Sequence, residues 1–165
     1  MGTMYYTSPE GETAMDKVIA QGFELPMSPG DDNKPALPED LSELDDQGLM
    51  EEFALFTAWA DYASAQVGLA VIAERASELE LEWQISLHVS SASTKKTITT
   101  IKAEALQNPD VYEARKKVEE AYAYRRVVSD LSDRYERDAA VLSRELTRRT
   151  SEGSVKAARR EKWKP

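Results

Sequence analysis

At 165 residues, with 31% charged side chains and a net charge of −9, the chain has room for one domain plus tails but little apolar surface to spare for a large core. It contains no cysteine, which removes disulfides, thiolate chemistry and Cys-based zinc sites together and suits a reducing compartment. No run approaches the roughly 18 apolar residues of a spanning helix, and no basic stretch leads into an apolar one, so the expectation is a cytoplasmic protein without a secretory signal.

Residues 1–38 hold five of the seven prolines, among them Pro26, Pro29, Pro35 and Pro38 with Gly and Asp between them, the composition of a flexible acidic arm. Within it, the stretch from Glu12 to Phe23 places Met15, Val18 and Ile19 on one face of a short helix, with Phe23 beyond. A helix that short is marginal alone in water, so these four apolar residues are candidates for binding a protein partner. The bland alternative is a tail packed on its own domain or left free.

A helical domain is expected over residues 39–150. It opens near Asp45, a side chain able to cap a helix whose first turn is rich in acid. Leu49, Phe53, Phe56, Ala60, Ala63, Val67 and Ala70 recur at spacings of four and three, with Leu55, Trp59, Tyr62, Leu69 and Ala73 as an adjoining stripe. So broad an apolar face suits a helix that touches two neighbours, in a bundle or an oligomer. Trp59 and Tyr62 have the chemistry to stack on bases, but aromatic side chains at helical spacing belong first to a core.

From Leu79 to Val89 the period changes. Leu79, Leu81, Trp83, Ile85, Leu87 and Val89 alternate with polar residues, which is the strand signature, and Thr97-Ile-Thr-Thr-Ile101 is β-rich, so one reading is a small β-hairpin over 79–103. The other reading, narrowly preferred, continues the helix to about Leu87, turns at the serine cluster and forms a short helix over Lys95–Gln107.

Asn108-Pro109-Asp110 then supplies an N-cap, a proline at the first helical position and an acid in the first turn. No Gly or Pro follows until Gly153, so one helix runs to about Arg149, with Val118, Ala121, Tyr124, Val128, Leu131, Tyr135, Ala139, Leu142 and Leu146 on one face. Some forty residues of helix reach on the order of 60 Å, and must lie against another long helix of this chain or a neighbour. The expected fold class is therefore all-α, an elongated helical hairpin or bundle. The opposite face carries Arg125, Arg126, Asp133, Arg137 and Arg144, a mixture read as a solvated surface laced with i, i+4 pairs.

Charge is distributed unevenly. Residues 1–50 hold eleven acidic and two basic side chains, residues 111–165 ten acidic and fifteen basic, and from Arg144 onward eight basic residues face three acidic ones. A polyanion or acidic protein surface meets the C-terminal end first, which makes Arg148 and Arg149 candidate contacts. Arg115, Lys116 and Lys117 form a second cluster, partly neutralised by Glu113, Glu119 and Glu120, and Lys95, Lys96 and Lys102 a third. The tail 151–165 gathers Lys156, Arg159, Arg160, Lys162 and Lys164 around Trp163. Such a tail suits phosphate neutralisation with a stacked base, the stack adding roughly 1–3 kcal/mol, or an acidic protein groove, or plain solvation.

No catalytic constellation accompanies these features. His88 is the only histidine, the acid pairs Asp45-Asp46 and Glu51-Glu52 sit at a helix start where the dipole accounts for them, and the seven glycines form no phosphate loop. The expectation is a protein that is not an enzyme, and no cofactor or metal is implied.

A helix carrying Phe56-Thr-Ala-Trp-Ala-Asp-Tyr62, an irregular turn segment, and Asn108-Pro-Asp-Val111 leading into a long terminal helix with Tyr124, Leu131 and Arg144 resembles the small bacteriophage recombination mediators typified by UvsY. The likeness covers roughly residues 49–150 and lies in layout and scattered residues. It implies an all-helical oligomeric ring in a host cytoplasm that binds single-stranded DNA and helps load a recombinase onto strands covered by single-strand-binding protein. One difference is plain: the family's first long helix is basic, whereas this one carries Glu74, Glu78, Glu80 and Glu82 against Arg75. The resemblance makes a homo-oligomeric mediator the first functional expectation. The alternatives are a helical adaptor or inhibitor that binds a host protein through its N-terminal arm, and a phage assembly scaffold.

Overall fold

A computed structural model describes residues 7–30, 34–92 and 97–162, the side chains of Lys102 and of residues 154–162 excepted. Four α-helices account for most of these residues: α1 (Pro9–Ala20), α2 (Asp46–Ser91), α3 (Ile98–Ala105) and α4 (Pro109–Lys162), with a 3-10 turn at Leu41–Glu43. The described residues contain no strand, and α2 packs against α4 as an all-α helical hairpin.

The helix ends follow local chemistry. Ser8 caps α1 by accepting from the Gly11 amide, and Pro9 occupies the position where an amide hydrogen has no helical partner. At the other end Gly22 adopts φ +87, its amide donates to the Ile19 carbonyl and the Phe23 amide to that of Val18, so the helix closes in a left-handed cap that favours glycine. Asp45 accepts from the Gly48 amide at 2.7 Å to start α2, and Asn108 from the Asp110 amide at 2.8 Å to start α4. Thr97 does the same for α3 through the Thr100 amide.

The β-hairpin over 79–103 does not form. The helix continues unbroken through the alternating stretch to Ser91, beyond the Leu87 expected, and α3 supplies the short second helix. No Gly or Pro interrupts the backbone ladder of α2 after Gly68, and its alternating apolar residues resolve into two helical stripes four residues apart. At its far end α4 runs past Arg149 and through Gly153 to Lys162. One glycine weakens a helix by about 1 kcal/mol, which neighbouring alanines and arginines readily outweigh.

The chain divides into two packed units, residues 1–25 with 64–130 and residues 26–63 with 131–165. In the second unit, Leu49 and Phe56 of α2 and Leu142 of α4 are fully buried together, with Leu37, Leu41, Leu44, Phe53, Tyr135, Ala139 and Leu146 packed around them. Trp59 is buried edge-on to Tyr62 and 5.8 Å from the Tyr135 ring, the core role its spacing suggested. Leu131, expected on this face, is exposed, and Ser132 takes the buried position instead. In the first unit the seam is made by small residues, Ala70, Ala73, Ala114 and Ala121, with Leu69, Val111 and Val128; Ile101 and Ala105 of α3 are also buried. Small side chains let helices approach closely, and here Gln66 is buried with its carbonyl oxygen accepting from the Tyr124 hydroxyl at 3.2 Å.

Candidate interaction surfaces

Two sets of side chains carry the sequence-based expectation of binding, the apolar residues of the arm and the basic residues of α4 and its neighbourhood. In the arm, α1 is seated by its first turn. Gly11 is buried, and a methyl group there would collide with the Thr7 hydroxyl while meeting a Leu69 methyl of α2 at ordinary van der Waals distance, so the missing side chain leaves room for Thr7 over the first turn. Met15 and Val18 are half-buried, whereas Ile19 and Phe23 are 56% and 63% exposed. The four apolar residues thus do not act as one face. Two turn toward the unit and two turn outward from the capped end of the helix.

The basic residues separate in a similar way. Arg149 is largely buried, and its guanidinium donates from Nη2 to the Leu41 carbonyl at 2.7 Å, from Nη1 to the Leu44 carbonyl at 2.8 Å and to Asp46 at 3.1 Å, and from Nε to Glu145 at 2.9 Å. It clasps the 3-10 turn and the start of α2 onto α4 in the second unit. Arg148 lies between Glu145, at 2.6 Å, and Glu152, at 2.5 Å. Hydrogen bonds from Arg148 and then Arg149 hold the Glu145 carboxyl down to about 2, and the same bonds raise both arginines.

Arg115, Lys116 and Lys117 are exposed near the start of α4, with Lys116 3.8 Å from Glu120. Lys117 also lines a cleft with Ser8 and Glu10 at the start of α1 and with Glu80 and Glu120. Three carboxylates beside one ammonium make that cleft a poor anion site. Lys102 lies on α3, and Lys156, Arg159, Arg160 and Lys162 lie on α4, with their side chains outside the described set. Lys95, Lys96, Trp163 and Lys164 lie outside the described residues.

The charged face of α4 behaves as its spacing indicated at Arg126 with Asp130 and Arg134 with Asp138, both 3.7 Å i, i+4 pairs. Arg125 departs from it. Its guanidinium reaches across the first unit to Glu74 of α2, forms a close ion pair there, and sits 5.4 Å from the Tyr122 ring centre. That pair gives a structural role to Glu74, one of the acids noted on this helix from the sequence. Neither it nor the Arg149 clasp was legible from sequence, because the partners lie 51 and more than 100 residues away.

Among the described residues no group of three or more His, Cys, Asp or Glu side chains is arranged to hold a metal, and no helix is long and apolar enough to cross a membrane. Comparisons with protein-family models, with curated proteins and with solved structures return no match.

Proposed function

We propose that this chain is a non-enzymatic helical adaptor that engages a protein partner through the outward edge of α1. The observation that carries this reading is the division along α1 and its cap: Gly11 is buried in the first turn, while Ile19 in the last turn and Phe23, just past the Gly22 cap, are exposed. An apolar pair carried by the end of a pre-formed helix and its hydrogen-bonded cap binds a groove without the ordering penalty of a free peptide. The test is retention of partners from a host extract by the full chain, compared with an Ile19→Ser, Phe23→Ser double variant. Loss of specific partners with unchanged thermal stability is the expected result, with slower proteolysis of residues 8–30 in the complex. Equal retention by both proteins overturns the proposal.

A second reading, single-stranded DNA binding by a homo-oligomeric recombination mediator, is supported by the resemblance, by the consecutive exposed Arg115, Lys116 and Lys117, and by a basic C-terminal stretch carried on a continuous helix. Phosphate contact of that kind weakens steeply with salt. Fluorescence anisotropy with a labelled oligonucleotide tests it, and no binding at roughly 50 mM salt removes it.

A further inference from the structure

The alternating apolar stretch of α2, once helical, separates into Leu81, Ile85 and Val89, which are half-buried, and Leu79, Trp83 and Leu87, which are 50%, 58% and 44% exposed. The exposed three follow one another by about one turn, so they form a single row over about 12 Å of helix. Trp83 stands at the centre of this row with a leucine four residues to either side. Such a row reads the same in both directions along the helix. Turned end for end by a two-fold axis at Trp83, it presents leucine to leucine and indole to indole, which is the self-complementarity that a symmetric contact between identical surfaces requires.

The charges beside the row choose the direction of that pairing. From Glu74 to Glu82 five of nine residues are charged, four of them acidic, whereas from Trp83 to Ser91 the one ionisable side chain is His88. Glu80 and Glu82 are exposed next to the row. Two copies running parallel and in register would set both acids against their own counterparts, and like charges brought together at an interface oppose association. Running antiparallel about Trp83, the acidic half of each copy lies along the acid-free half of the other, with Glu80 level with Ser86 and Glu82 level with Gln84. Rows of residues four apart interlock at a crossing of roughly 50°, which holds the contact to three side chains from each copy. So small a contact falls well below the roughly 800 Å² per partner of a standard interface, and the pair forms and separates with protein concentration.

We infer that Leu79, Trp83 and Leu87 pair with the same three residues of a second copy of this chain, antiparallel about a two-fold axis at Trp83. This pairing uses α2 alone and is independent of partner binding at Ile19 and Phe23. Sedimentation equilibrium of the full chain over a roughly hundredfold range of concentration is expected to show its average mass rising from that of a monomer toward that of a dimer, and Trp83→Ser to weaken the dimer by roughly tenfold or more. Circular dichroism of Trp83→Ser should match the parent chain, because the position is exposed. A constant monomer mass, or a dimer that Trp83→Ser leaves intact, overturns the inference. The absence of cysteine permits a second measurement that keeps Trp83 in place and reads direction. When the Leu79→Cys and Leu87→Cys variants are mixed, a short bismaleimide should join unlike chains, and neither variant alone should be joined to itself. Coupling of the Leu79→Cys variant to itself, as in a parallel pair, or no coupling in the mixture, overturns it equally.

Discussion

Arg149 donates to the carbonyl oxygen of Leu41 at 2.7 Å, a contact between residues 108 positions apart that joins the 3-10 turn to α4. The same side chain satisfies the Leu44 carbonyl and pairs with Asp46 and Glu145, so one planar fork holds four acceptors. Arg149→Ala should therefore loosen residues 37–46 selectively, speeding their proteolysis by roughly tenfold. Arg149→Lys should restore only part of the protection, because an ammonium lacks the fork. Limited proteolysis with mapped cleavage sites reads both.

Glu145 gives the clasp a pH dependence. Its carboxyl is lowered from 4.5 to about 2 by Arg148 and Arg149, so the folded state binds this proton less readily than the unfolded chain. The contribution is complete above the unfolded value and is lost as pH falls from about 4.5 through about 2. Urea denaturation across that window should show a smaller acid-side loss in Glu145→Gln than in the parent chain.

Phe56 and Leu142 are 1% and 0% exposed in one core cluster. Phe56→Ala should destabilise by about 3–5 kcal/mol and Leu142→Ala by about 2–5 kcal/mol. Val141→Ala, at the exposed neighbouring position, should stay within about 0.5 kcal/mol. The first two are close enough for their effects to be non-additive in a double variant. Equilibrium denaturation followed by circular dichroism measures all four proteins.

Two glycines should respond to alanine with opposite signs. Gly22 has φ +87 and open space around it, so Gly22→Ala costs about 1–2 kcal/mol through backbone strain alone and frays the end of α1. Gly68 lies inside α2, also facing open space, and Gly68→Ala should stabilise by about 0.5–1 kcal/mol. Thermal unfolding separates the two. Equal and same-signed shifts would contradict the cap geometry.

The Tyr124 hydroxyl donates to the buried Gln66 side chain inside the first unit. Tyr124→Phe should lower stability by about 0.5–1.5 kcal/mol without changing the fold.

What the sequence by itself determined was local. Asp45, Asn108, Pro109 and the spacing of Leu49, Phe56, Ala60 and Ala63 specified where the long helices start and which faces they bury, because caps and periodicity act within one or two turns. Tertiary structure decided the rest. Alternation from Leu79 to Val89 satisfies a strand and a two-striped helix equally, and only the continuation of α2 chose between them. Likewise Arg125 and Arg149 read as surface charge until Glu74, Leu41 and Asp46 were brought to them from 51 to 108 residues away. The division of the arm into a half-buried Met15 and Val18 and an exposed Ile19 and Phe23 was set by how α1 packs within the first unit, where Gly11 is buried beside Leu69. Local hydrogen-bond chemistry can be read from neighbours in the chain, but which side chain meets a partner, and which is left in water, depends on how distant helices pack.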